Sequence, residues 1–138
     1  MTSAEEQETI ERFGEQYRAE GTDLSRRIEQ AVIGSDWGAN GYTTVAQADL
    51  LGRLLRLGPG TRLLDLGAGR GWPGLYLASR TRCEVVLSDL PIDGLRAART
   101  RAGHEGLSGH ASVVVASARR PPFRPATFDA VVHTDVFC

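Results

Sequence analysis

Apolar residues keep a helical period through the first third of this chain and then gather into short continuous runs, so the pattern divides the chain before any motif is sought. Ser3 followed by Glu6 fits a capping box and predicts a helix running to about Glu20, ended by Gly21. Thr22 or Asp23 then caps a second helix through Ile33, with Leu24, Ile28, Ala31 and Val32 along one apolar face. Gly34, Gly38 and Gly41 make the next stretch a loop around Trp37, Asn40 and Tyr42, residues that serve either as local core or as pocket lining. From Thr44, Val45, Ala48, Leu51, Leu54 and Leu55 return to helical spacing until Gly58-Pro59-Gly60, and this helix is expected to pack on a sheet.

The run Leu63 to Leu66, apolar except for Asp65, suits a parallel strand covered on both faces. Leu75, Leu77 and Ala78 continue a helix to about Arg80, and Cys83 to Ser88 forms a second strand that ends at Asp89. A further helix spans Ile92 to His104, and the valine-rich run Ala111 to Val115 is a third strand. Three prolines keep Arg119-Arg120-Pro121-Pro122-Phe123-Arg124-Pro125 from becoming a helix, so the crossover to the next strand is a bare loop, whose arginines form a solvated rim or, as the alternative, bind an acidic substrate. Phe128 to His133 is the fourth strand.

Composition adds little to this outline, since 138 residues with 41% hydrophobic and 24% charged positions describe an ordinary single domain with a modest core. All 16 basic residues are arginine, a bias to which no mechanism attaches. The net charge of −1 gives no electrostatic reason to expect nucleic acid or an anionic membrane as partner. It is unevenly spread, for nine acids against four arginines leave the first 36 residues at −5 and the remainder at +4. An acidic solvated helix face accounts for that. Cys83 and Cys138 indicate neither a metal cluster nor a disulfide framework. With no leader and no apolar run of bilayer length, the chain is expected to be cytoplasmic.

The chemistry concentrates where the first strand ends. Gly67, Gly69 and Gly71 at alternate positions allow a tight turn and close approach of backbone to a ligand. Pro73 then sits in the first turn of a helix whose free N–H groups and positive dipole end face the loop. The six residues from Gly69 to Gly74 also match the dinucleotide fingerprint, which opens a nicotinamide-dependent reading. Asp65 argues against it, because a carboxylate two residues before the first glycine would repel a pyrophosphate and suits a cationic ligand. Asp89 lies about 20 residues beyond the loop, the separation at which an acid at the second strand's tip reaches ribose hydroxyls. Its alternative role is to cap the helix that starts near Pro91.

The segment Leu63-Leu64-Asp65-Leu66-Gly67-Ala68-Gly69-Arg70-Gly71 resembles motif I of the class I S-adenosylmethionine-dependent methyltransferases. The resemblance covers about residues 41 to 138 and implies an α/β, Rossmann-like, mostly parallel sheet in the order 3-2-1-4, the first part of a seven-stranded fold. It divides the chain into a helical extension, 1–40, that closes over the substrate pocket, and a truncated cofactor domain, 41–138. It further implies that Asp65, Gly67, Ala68, Gly69, Gly71, Asp89, Leu90, Ser117 and Ala118 form the S-adenosylmethionine site, with Asp65 either supporting the loop or hydrogen-bonding near the cofactor's amino group. Ser117-Ala118 departs from the family, which usually has an acid there for the adenine amino group. Phe128 to His133 resembles motif IV, so His133, Thr134 and Asp135 are placed toward the methyl acceptor, with His133 and Asp135 as catalytic candidates and no metal. The implied activity is methyl transfer to a small-molecule acceptor; a non-catalytic binding fragment and a nicotinamide-dependent enzyme are the alternatives. An unpaired fourth strand is expected to recruit a second copy or a partner chain.

Overall fold

The computed structural model describes residues 2–135. Three helices come first: α1 (Ala4–Ala19), α2 (Asp23–Val32) and α3 (Val45–Leu54). Strands and helices then alternate as β1 (Arg62–Leu66), α4 (Gly74–Thr81), β2 (Glu84–Asp89), α5 (Ile92–His104), β3 (Ala111–Val115) and β4 (Ala130–Val132). The four strands form one parallel sheet in the order β3-β2-β1-β4, as expected. The predicted capping box is present, Ser3 and Glu6 closing reciprocally at α1, and of the two candidate caps for α2 it is Thr22 that serves, accepting from the Ser25 N–H.

One sheet face holds the core. Leu63 of β1, Val85 and Leu87 of β2 and Val132 of β4 are buried against Leu75 and Leu77 of α4 and Leu95, Ala98 and Ala102 of α5. Each fully buried leucine of this set contributes about 1.5–3 kcal/mol by transfer. The two crossover helices share that face because β1 to β2 and β2 to β3 step in one direction, and right-handed crossovers then fall on one side. The run Leu63 to Leu66 was expected to be covered on both faces, and Leu63, Leu64 and Asp65 are all buried; the cover thins at β4. Leu64, Val86, Val114 and Val131 lie on the opposite face, where the proline-rich connection to β4 supplies no helix and Val131 is 50% exposed.

Two helices sit differently from expectation. α3 packs mainly on α4, with Gly52 close against Leu77, and only Leu51 and Leu55 reach the sheet core. In α2 the face carrying Leu24, Ile28 and Val32 points outward. The helix is turned by Glu29, whose buried carboxylate accepts from the backbone N–H groups of Trp37 (2.6 Å) and Gly38 (3.2 Å). A carboxylate satisfied by two N–H donors is tolerable inside, so this acid belongs to the packing and not to a solvated face. Ile33 anchors the same turn in a second cluster with Ala48, Trp72 and Tyr76, onto which Trp37 packs.

Candidate functional site

The turn after β1 is built from residues that only glycine can supply. Gly67, Gly69 and Gly71 have φ of 75, 52 and 101°, so the alternate spacing is a conformational requirement. The N–H groups of Gly67 and Ala68 both donate to the Ser88 carbonyl, at 2.8 and 3.1 Å, lashing the loop to the end of β2. Asp89 completes the join. Its Oδ2 accepts from the Gly69 N–H at 2.7 Å and its Oδ1 from the Leu90 N–H at 2.8 Å. Burial pushes its carboxyl above the ordinary value, while those two N–H groups pull it down. The helix-cap alternative fails, because Pro91 occupies the N-cap of α5 and no side chain caps that helix.

Asp65 does not face a ligand. It is fully buried, and its Oδ2 accepts from the Gly74 N–H at 2.8 Å. Burial raises its carboxyl to about 8, and the charge of Asp89 adds to the shift. The repulsion argument against a pyrophosphate therefore falls, since the carboxyl meets no incoming molecule. The expectation about Pro73 also changes: it is the N-cap of α4, and the first helical N–H is turned inward to Asp65. What Asp65 does is hold the start of α4 against the sheet.

Two cavities meet over this turn. The smaller, about 260 Å³, is lined by Leu90, Ser117, Ala118 and, from α1, Glu5 and Glu6. The larger, about 520 Å³, is lined by Arg12, Phe13 and Tyr17 of α1, by Asn40 to Tyr42, and by Trp72, Thr134 and Asp135. Thr9, Gly67 and Asp89 line both.

Residues 63–138 match the family model described as a methyltransferase domain. The chain belongs to the methyltransferase domain family. It is 36% identical over 84 residues to squalene methyltransferase 1 of Botryococcus braunii, a match that covers 61% of this chain and 22% of that protein. Among solved structures it resembles a geranyl diphosphate methyltransferase in complex with S-adenosylmethionine, with TM-score 0.61, 28% identity and coverage of 76% of this chain and 46% of that one. It also resembles an S-adenosylmethionine-dependent methyltransferase from Thiobacillus denitrificans in complex with S-adenosylhomocysteine, with TM-score 0.54, 27% identity and coverage of 67% and 37%. The chain thus spans less than half the length of each.

In this member of the methyltransferase domain family the residues fit an S-adenosyl ligand on their own chemistry. A carboxylate has about four lone-pair positions, so Asp89 keeps two for a diol after taking two N–H groups. The smaller cavity offers Ser117 and Glu6 to a polar planar group, and the larger presents charge of both signs, Arg12 and Asp135, to a zwitterionic one. Ser117 itself donates to Glu6 through a short hydrogen bond.

The candidate residues separate into two groups. Gly67, Asp89, Leu90, Ser117 and Ala118 line the cavities. Asp65, Ala68, Gly69 and Gly71 line neither. Gly69 lies beneath Tyr17, whose Oη would be 2.9 Å from an added Cβ, and a Cβ on Gly71 would be 2.6 Å from Leu75. Those two glycines are needed for close packing as much as for approach to a ligand. At the far end, Thr134 and Asp135 line the larger cavity while exposed His133 does not. Asp135, with φ 57°, accepts through Oδ2 from the N–H groups of Tyr42 (2.9 Å) and Thr43 (3.2 Å) and from the Thr43 hydroxyl (3.1 Å).

Three contributors were missed in the sequence. Gly94 lets α5 touch the turn, since a Cβ there would lie 2.7 Å from the Gly69 carbonyl oxygen; its signal was a glycine in the first turn of the helix after Asp89. Arg70 reaches from the turn to Glu20 at 3.4 Å, close to Gly21 and Gly38. Tyr17 has its hydroxyl held neutral by burial and the nearby Asp89, which push it up to about 12. Nothing local in the sequence marked Arg70 or Tyr17, because both depend on where α1 lands.

Proposed function

We propose that this chain binds S-adenosylmethionine across the two joined cavities and transfers its methyl group to a small-molecule acceptor in the larger one. The observation that carries the reading is Asp89, which stands at the junction of both cavities and is braced by the Gly69 and Leu90 N–H groups. Bound there, the cofactor supplies a methyl group activated by its sulfonium. Asp89 takes the ribose hydroxyls. Leu90 and Ala118 flank the base, and Glu6, joined to Ser117, brings a carboxylate to the position where the family usually has one. Similarity to a squalene and to a geranyl diphosphate methyltransferase supports an acceptor with a hydrocarbon body.

Orientation supplies most of the acceleration in such an in-line displacement, and the fold is equipped for it. Residues 1–40 act as a lid, with α1 laid over the turn. Asp135 positions the Tyr42–Thr43 segment at the acceptor end, its Oδ2 being taken by three donors, and serves there as a positioning residue. His133, outside both cavities, is left out of the reaction. The free edge of β4, with Val131 half exposed, is where we place self-association, and Val131→Lys should reduce it in sedimentation. Calorimetric titration tests the reading: S-adenosylhomocysteine should bind at one site and NAD should bind more weakly. Tighter binding of NAD would sink it.

A further inference from the structure

The outward face of α2 exposes Leu24, Ile28 and Val32 to 66, 55 and 61%. Isolated apolar groups on a surface need no explanation, but Ile28 and Val32 are not isolated. They form one wall of a further cavity of about 460 Å³, whose second wall is Ala39 with Tyr42 and whose third is Arg70 with Arg101. Ile33, 5% exposed, lies at its base. Its size and largely apolar lining are those of a small-molecule site. Gly41 and Tyr42 line this cavity and the larger cavity of the cofactor cleft as well.

The rim decides the class of ligand. Arg70 is paired with Glu20, Arg101 with Asp36 and Glu105, and Arg26 with Asp23. Glu29, which also lines the space, spends its carboxylate on the Trp37 and Gly38 N–H groups. Each charge on the rim thus already has a partner of opposite sign, and an anionic head group would have to compete with those carboxylates. A neutral chain loses nothing and covers Ile28, Val32 and Tyr42, which is 80% exposed. We propose that this cavity holds the neutral aliphatic or isoprenoid body of the methyl acceptor, whose reactive end enters the cofactor cleft past Gly41 and Tyr42. The acceptor role rests on the methyltransferase reading above; the preference for a neutral apolar chain does not.

The test follows displacement of 1-aminoanthracene, a neutral apolar fluorophore, by farnesol and by farnesyl diphosphate, with and without saturating S-adenosylhomocysteine. Farnesol should displace the dye in both conditions. Val32→Glu, at an exposed position that leaves folding undisturbed, should weaken farnesol by about tenfold or more while calorimetry finds S-adenosylhomocysteine binding unchanged. Ile28→Glu should do the same. No displacement by farnesol, or no effect of either variant, overturns the proposal. Diphosphate binding about tenfold tighter than the alcohol overturns the neutral class, and mutual exclusion with S-adenosylhomocysteine overturns the separate cavity. A wild-type dimer that Val32→Glu dissolves, without dye binding, makes the face a protein interface. Failure of S-adenosylhomocysteine to bind at all removes the acceptor role, whatever farnesol does.

Discussion

The turn after β1 and the lid above it line the same cleft, yet they are held by opposite kinds of force. The turn is fixed from beneath by buried groups: Asp65 on Gly74, Ser88 on Gly67 and Ala68, and Asp89 on Gly69. The first helix of the lid, α1, is fixed largely at its rim. Arg18 pairs with Asp93 at 2.6 Å, Glu5 with Arg119 at 2.7 Å and Glu20 with Arg70 at 3.4 Å, while Tyr17 is its buried contact over the turn. The more exposed pairs, Arg18 with Asp93 and Glu5 with Arg119, are worth little in water and are screened by salt, whereas Arg70 and Glu20 are mostly buried. That leaves α1 more weakly pinned than the turn beneath it.

The largest expected effect probes the cradle through pH. The Asp65 carboxyl sits at about 8 in the fold and near its ordinary value when unfolded, so the folded state holds the extra proton between those limits. Stability is therefore present in full at low pH and declines as pH rises toward about 8, on the order of 1 kcal/mol per pH unit while only the folded state is protonated. Denaturant titrations between about pH 5 and 8 check it. Asp65→Asn should flatten that profile, and an unchanged slope would mean the buried carboxyl is not its source.

Asp89→Ala comes next. Losing an acceptor for two backbone N–H groups, and with it the contact to the ligand, should weaken S-adenosylhomocysteine by about 1.5–3 kcal/mol. Gly94→Ala presses a methyl against the Gly69 carbonyl and the Tyr17 ring, and overpacking of that kind costs about 1–3 kcal/mol in thermal or chemical unfolding. The smallest effect is at the lid. Arg18→Ala should cost only about 0.2–1 kcal/mol of stability. Salt should mimic that loss in the native chain and spare the Asp89 term; equal salt sensitivity of both would erase the contrast.

How much was legible in the sequence follows the same division. The turn and the bounds of α5 and β3 could be read because glycine spacing, apolar runs and caps are local signals, whereas the strand order came from the family resemblance alone. Asp89 ends β2, as the strand reading had it, and its bonds to the Gly69 and Leu90 N–H groups put it beside the turn. Of the two roles expected for Asp65, support of the loop is the one seen, while its supposed repulsion of a pyrophosphate was misread, since burial is a property of the sheet face and α4 together. α2 was misread because periodicity finds an apolar face without saying which face turns inward, and the hydrogen bonds of Glu29 to Trp37 and Gly38 decide that. Arg70, Tyr17 and the contact of Glu6 with Ser117 join residues 50 or more positions apart, or α1 to the turn, so no window of sequence contains them.

The central claim is where the cofactor sits, and amide chemical shifts test it most directly. Titrating the nitrogen-15-labelled chain with S-adenosylhomocysteine should move the amides of Gly67, Gly69, Leu90 and Ser117, and leave those of Ile28 and Val32 in place. Asp89→Ala should need more ligand to reach the same shifts. Perturbations confined to α2, or none at the turn when the ligand is saturating, would contradict the account.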